Sequence, residues 1–178
     1  MPVQIGQKPG HDFSRPLGLL SDCHRRIERF LAVMAKVATA GALDEDRRNA
    51  LDAALRYFRE AAPKHTADEE ESLFPRLREV ETARAELGDL ERLEADHDRA
   101  DRLHAEDDAL GMAWLQDGAL PADRAARFRE IAADLAELYR AHIDIEDNRL
   151  FPLAARLLPM ETQQEIGREM AARRIAPV

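Results

Sequence analysis

The chain has 178 residues, with 26 Lys and Arg against 35 Asp and Glu for a formal charge of −9, and 45% of it is hydrophobic. One domain of this size can bury a sizeable core unaided, so a bound metal would serve function rather than folding. The acidic balance argues against nucleic acid or an anionic membrane as partner, because phosphates would be repelled. Cys23, the single cysteine, excludes an internal disulfide, and the start MPVQIGQKPGHDFSRP lacks the apolar run of a signal peptide or anchor, so the expected location is the cytoplasm.

In chain order, residues 1–15 read as a flexible arm in which His11 is solvated. The first helix is expected over roughly 16–39, where Leu20, His24, Ile27, Leu31, Met34 and Ala38 keep the spacing of one helical face. Gly41 breaks it. A second segment, roughly 45–79, aligns Leu51, Leu55, Phe58, Ala62, His65 and Glu69, and contains Pro63 and Pro75, which predict kinks or breaks. After the ELGD stretch around Gly88, a third helix is expected over roughly 89–110, ending at Gly111. A fourth, over roughly 122–157, follows DGALP and contains Pro152; beyond Pro159 a short helix fills roughly 160–174. No segment alternates with the period of a strand. The expected fold is all-α: an up-down four-helix bundle over 16–158, with an additional short C-terminal helix and tail over 159–178.

One motif occurs twice. HTADEEESLFP runs from His65 to Pro75, and HIDIEDNRLFP from His142 to Pro152. Residues four apart on a helix share a face, so His65 with Glu69, and His142 with Glu146, each present an imidazole and a carboxylate one turn apart on the core side. A buried ionised glutamate needs a partner, no Lys or Arg shares its stripe, and a cation would supply one. His24 between Leu20 and Ile27, and His97 between Leu93 and Ala100, repeat a second pattern on the first and third helices. The chain thus reads as two helical hairpins, each contributing His and then His-x3-Glu. Paired about a pseudo-twofold axis, they would gather a donor set suited to two metal ions about 3.5–4 Å apart, bridged by Glu69 and Glu146.

At these residues, and over nearly the whole chain, the sequence resembles the hemerythrin-like, HHE cation-binding domains, four-helix bundles that hold a non-haem di-iron site. The stretches that carry the resemblance are PLGLLSDCHRRIERF, KHTADEEESLFPRL, EADHDRADRL and RAHIDIEDNRLFPLA. The resemblance implies His24, His65, Glu69, His97, His142 and Glu146 as ligands to two iron ions with an oxo or hydroxo bridge, and a small ligand such as O2 or NO. Manganese or zinc also suits a set of imidazoles and carboxylates without thiolate. Two departures matter. The oxygen carriers have His-x3-His on the third helix, where this chain has Asp101 four residues after His97. They also use His-x4-Asp on the last helix, where this chain offers both Glu146 and Asp147, and helical period favours Glu146. The closer pattern is that of variant domains with single histidines on helices one and three, so reversible oxygen carriage is not expected.

His104 is expected as a core histidine, about 10 Å along the axis from His97. Cys23 reads as a small buried hydrophobe, Tyr139 as a packing residue, and the acidic run Asp68–Glu71 as a solvated face apart from Glu69. The leading function is binding or sensing of O2, NO or iron rather than catalysis, with no particular protein partner indicated. The alternative is a ferritin- or rubrerythrin-like oxidoreductase, a peroxidase or ferroxidase built on Glu-x2-His motifs, of which Glu94-x2-His97 is one copy. A third reading is an interaction module with a structural metal.

Overall fold

The computed structural model describes residues 10–39, 41–81 and 87–175. Residues 1–9 of the expected arm, 82–86 beside the Gly88 break, and the final 176–178 lie outside the described residues. Helix α1 spans Pro16–Ala38, its proline sitting in the first turn where no backbone donor is lost. Helix α2, Glu45–Glu60, is capped by Asp44, whose carboxylate accepts the Arg47 amide at 2.8 Å. The expected second segment then divides. Ala61 separates α2 from α3 (Ala62–Asp68), which has Pro63 in its first turn; a π-helical turn comes next over Glu69–Leu73, then α4 over Phe74–Glu79. The fourth segment divides the same way, into α6 (Ala122–Ile145), a π-helical turn (Glu146–Leu150) and α7 (Phe151–Leu157).

Both π turns have one cause. Pro75 and Pro152 lack the amide that would close an α-turn and would press on the carbonyl four residues earlier. One residue before each proline, the amide of Phe74 bonds to the Glu69 carbonyl and that of Phe151 to the Glu146 carbonyl, five residues back. The widened turn rotates the helix beyond it, so Leu73, Phe74 and Leu77 all face the core, as do Leu150, Phe151 and Ala154.

Helix α5 is longer than the spacing predicts: it runs Leu87–Asp117 straight through Gly111. A Cβ at Gly111 would lie 2.6 Å from Leu55 Cδ1, so this glycine lets α5 approach α2 closely rather than ending the helix. The stop comes at Gly118, with φ 77° and its amide on the Trp114 carbonyl at 2.9 Å. Helix α8, Met160–Ile175, is the last element among the described residues.

Helices α1, α2, α5 and α6 close into a ring in which each packs against its neighbours in sequence and α6 returns to α1, the up-down four-helix arrangement. Two apolar clusters fill it. One, at the Trp114 end, includes Ile27, Met34, Leu51, Leu55, Phe128 and Leu135; the other includes Leu20, Phe74, Leu93, Phe151 and Ala154, and takes Ile166 and Met170 from α8. Charge also docks α8. The Asp68 carboxylate, fully buried, accepts Arg174 Nη2 at 2.6 Å and Arg173 Nη1 at 3.1 Å, while Arg76 forks onto Glu169 at 2.8 and 3.1 Å. Gly167 meets residue 13 so closely that a Cβ would stand 1.9 Å from the Phe13 carbonyl oxygen. His11 is tied down as well: its amide donates to Asp22 at 2.8 Å and its Nδ1 lies 3.1 Å from the same oxygen.

Candidate metal centre

A polar layer lies between the two apolar clusters. His24 stands between Leu20 of one cluster and Ile27 of the other, and His97 between Leu93 and Ala100. All six expected residues, His24, His65, Glu69, His97, His142 and Glu146, are buried and brought together. They form two groups. His24 and His65 share Glu69 and Glu146, and His97 and His142 share the same two glutamates, the donor atoms of each group lying within 4.8 Å of one another.

The distances give the layout. His24 Nε2 is 3.1 Å from Glu146 Oε2 and 3.8 Å from Glu69 Oε1; His65 Nε2 is 3.3 Å from Glu69 Oε1. Across the axis, His97 Nε2 is 3.4 Å from Glu69 Oε2, His142 Nε2 is 3.2 Å from Glu146 Oε2, and the two Nε2 atoms are 3.1 Å apart. Every histidine turns Nε2 inward. Yet neither oxygen of Glu69 or Glu146 has an aligned hydrogen bond among the described residues, nor does His24 Nε2. Orphaned carboxylate oxygens at full burial are expensive, and inward-facing imidazole lone pairs beside them are what a cation takes as ligands.

The outer ring nitrogens explain why Nε2 faces in. His24 Nδ1 is 2.9 Å from Asp147 Oδ1, His97 Nδ1 is 2.7 Å from Glu70 Oε1, and His142 Nδ1 is 3.7 Å from Asp96 Oδ2. At His24 and His97 the carboxylate outside holds the proton on Nδ1, freeing Nε2 for a metal and raising its basicity, whereas Asp96 stands beyond hydrogen-bond reach of His142 Nδ1. Asp147 is itself held by Ser21 Oγ at 2.8 Å and by Arg25. Glu146 thus occupies the centre and Asp147 its rim, in line with the helical period.

Without a metal the same groups answer one another. Burial pushes His24 down, but its hydrogen bond to Asp147 and the nearby carboxylates of Glu146 and Glu69 hold it well above the usual imidazole range. His97, likewise opposed by burial, is raised to about 9 by Glu69 and Glu70. Burial dominates at His65, which falls to about 4. Burial also pushes Glu69 up, and the surrounding imidazoles, His65 first, hold it well below its ordinary value.

The structure does not bring Asp101 to the centre; it is exposed on α5. His104 is half-buried at the edge of the core, stacked on Phe58 at 4.2 Å with Nε2 3.2 Å from the Tyr139 hydroxyl. The acidic run is not a solvated face. Asp68 anchors α8, Glu69 sits in the centre, Glu70 holds His97, and Glu71 reaches Arg173 at 3.1 Å. Sequence reading missed Glu70 and Asp147 as supports. A signal for both was present, since each central glutamate is followed at once by an acid: Glu69 by Glu70, Glu146 by Asp147.

Comparison with known proteins agrees with this geometry. An uncharacterised protein of Haemophilus influenzae is 27% identical over 165 residues, spanning 91% of each chain. The family model described as the hemerythrin HHE cation-binding domain matches residues 15–154, which takes in all six central residues and both π turns. The protein is a member of the hemerythrin HHE cation-binding domain family.

Proposed function

We propose that the protein holds two iron ions in this centre and uses them to bind or sense O2, NO or iron itself, in the cytoplasm. The observation that carries the reading is the sharing of both Glu69 and Glu146 between two histidine pairs, with all four carboxylate oxygens buried and without aligned partners. A single ion would leave one histidine pair and half of each carboxylate unsatisfied. Imidazole and carboxylate without thiolate suit iron or manganese, and zinc can occupy such a set.

When bound, such a metal pair supplies exchangeable coordination positions for a small ligand and a change of oxidation state. The chain's own residues do the rest. Asp147 and Glu70 keep the protons of His24 and His97 on the outer nitrogens, and the apolar clusters on either side keep bulk water out. The ferritin-like alternative draws no support from its motif, because Glu94 is turned away and paired with Arg78 at 2.6 Å.

The test is metal analysis of protein from iron-replete cells, with absorption spectra before and after oxygen. Close to two irons per chain and a bridged ferric spectrum are expected; one zinc per chain, unaffected by iron supply, would refute the reading. Chelation followed by circular dichroism separates a structural metal: the continuous apolar packing around the layer should keep the bundle helical, whereas collapse would favour the interaction module.

A further inference from the structure

Asp68 and its twin in the doubled motif are chemical opposites. The chain reads HTADE from His65 and HIDIE from His142, so Asp68 matches Ile145, each one residue before a central glutamate. Both are buried, and Ile145 joins the apolar cluster around it. The fold therefore accepts a hydrocarbon at this position. A buried carboxylate there is not what the bundle needs to form, because desolvation offsets the attraction of its partners and an apolar side chain serves folding as well.

Among the described residues, the side-chain partners of Asp68 all come from α8. Arg174 forks onto it, Nη2 at 2.6 Å from one oxygen and Nη1 at 3.1 Å from the other, and Arg173 Nη1 adds a contact of 3.1 Å. Arg173 also donates to Ser72 Oγ at 2.8 Å and to Glu71 at 3.1 Å. Helix α8 thus holds Asp68, Glu71 and Ser72, while the two residues between them go the other way, Glu69 into the centre and Glu70 onto His97. Residues 68–72 have two faces, one for the metals and one for α8. The apolar hold on α8 is narrow, with Ile166, Gly167 and Met170 as its buried residues.

We propose that α8 is a clamp coupled to the metal centre through this turn: a held metal strengthens the docking of α8, and docked α8 strengthens the hold on metal. If α8 lifts, Asp68 is left buried and unpaired, a state costly enough that the turn must open to water. Glu69 is the next residue and moves with it. In the other direction, a metal fixes Glu69 and with it the carboxylate on which α8 docks, and such a coupling is reciprocal by linkage. Occupancy of the centre thereby reaches the surface as the docking of one helix. The coupling rests on the centre holding a metal, and not on that metal being iron.

Amide hydrogen exchange of the full chain, metal-loaded and chelated, tests it. The amides of α8 should exchange at least about tenfold faster after chelation, and those of α2, the internal comparison, by less than about twofold. Arg173→Ala together with Arg174→Ala should weaken metal binding by about tenfold in chelator competition. Arg173→Lys with Arg174→Lys should recover part of that loss. In an Asp68→Asn background, where no charge is left to strand, the same two alanine substitutions should cost less than about twofold. Circular dichroism establishes that each variant is folded, and the exchange comparison on the unmodified chain stands whatever the variants do. Equal exchange of α8 with and without metal would overturn the proposal, as would α2 and α8 losing protection together, the mark of general unfolding. A tenfold loss that persists in the Asp68→Asn background would overturn it too, leaving α8 a packing role alone. If the bound metal proved not to be iron, the coupling would be read with that metal, so the two readings fail separately.

Discussion

Asp147 lies 2.9 Å from His24 Nδ1, and the residue before it, Glu146, lies 3.1 Å from Nε2 of the same ring. One dipeptide at the start of the π turn after α6 thus grips both edges of an imidazole on α1. Glu69 and Glu70 do the same to His97, at 3.4 and 2.7 Å, so each hairpin orients a histidine of the other.

This division of labour separates two classes of substitution. Glu69→Ala or Glu146→Ala removes a donor common to both groups and should lose one or both metals outright. Glu70→Ala or Asp147→Ala leaves every inward nitrogen in place, and should keep the stoichiometry while weakening metal affinity by about 10- to 100-fold. Chelator competition followed by elemental analysis measures both. Equal loss in all four variants would contradict the layout.

Oxygen should react without returning. The third helix gives one imidazole to the centre, Asp101 stays outside, and the donor set is poorer in nitrogen than that of an oxygen carrier. The reduced protein mixed with oxygen in a stopped-flow cell should convert to its oxidised spectrum, and flushing with argon should leave that spectrum unchanged. Restoration over repeated cycles would point to storage or transport.

Asp107 gives a stability prediction away from the centre. It is 1% exposed, one of its carboxylate oxygens lacks a partner among the described residues, and burial, with Asp108 and Glu106 nearby, raises it to about 8. The folded chain therefore keeps a proton that the unfolded chain releases near pH 4. Stability should fall as pH rises from about 4 to about 8 and level off above that. Asp107→Asn should flatten that slope and raise stability at pH 8 by about 1–3 kcal/mol, read from thermal melting across pH.

Gly167→Ala should harm the protein where Gly41→Ala should not. The new methyl would meet the Phe13 carbonyl oxygen at 1.9 Å, backbone against backbone, so α8 and the segment before α1 must part, at a cost of about 1–3 kcal/mol. At Gly41 a Cβ meets nothing within 4 Å. Urea unfolding of both variants provides the comparison.

Periodicity made much of this legible. The stripe through Leu20, His24 and Ile27, and its counterpart through Leu93, His97 and Ala100, placed two histidines inward because the 3.6-residue repeat leaves them no other side. The doubled His-x3-Glu supplied the rest of the centre. Helix ends were harder, since Gly111 and Gly118 look alike in sequence and differ only in what packs on them: Leu55 presses on the first, and the second takes a positive φ. The contacts of Glu70 with His97 and of Asp147 with His24 join residues far apart in the chain, where no repeat can announce them. Asp68 looked solvated because the arginines that cover it lie on α8, more than a hundred residues on.

The paired π turns make the length of a segment as consequential as its spelling. Each holds one residue more than an α-turn would, and that surplus decides which way Leu73, Phe74 and Leu77, or Leu150, Phe151 and Ala154, face. Removing one residue from either turn, even an exposed one such as Glu71 or Asn148, would close it as an α-turn and press Pro75 or Pro152 against the carbonyl four residues earlier, straining or kinking the helix there. One hairpin would then be distorted beside the centre while the other kept its shape. The shape of this centre is therefore recorded in a count, and single-residue deletions should injure it where substitutions at the same exposed positions pass unnoticed.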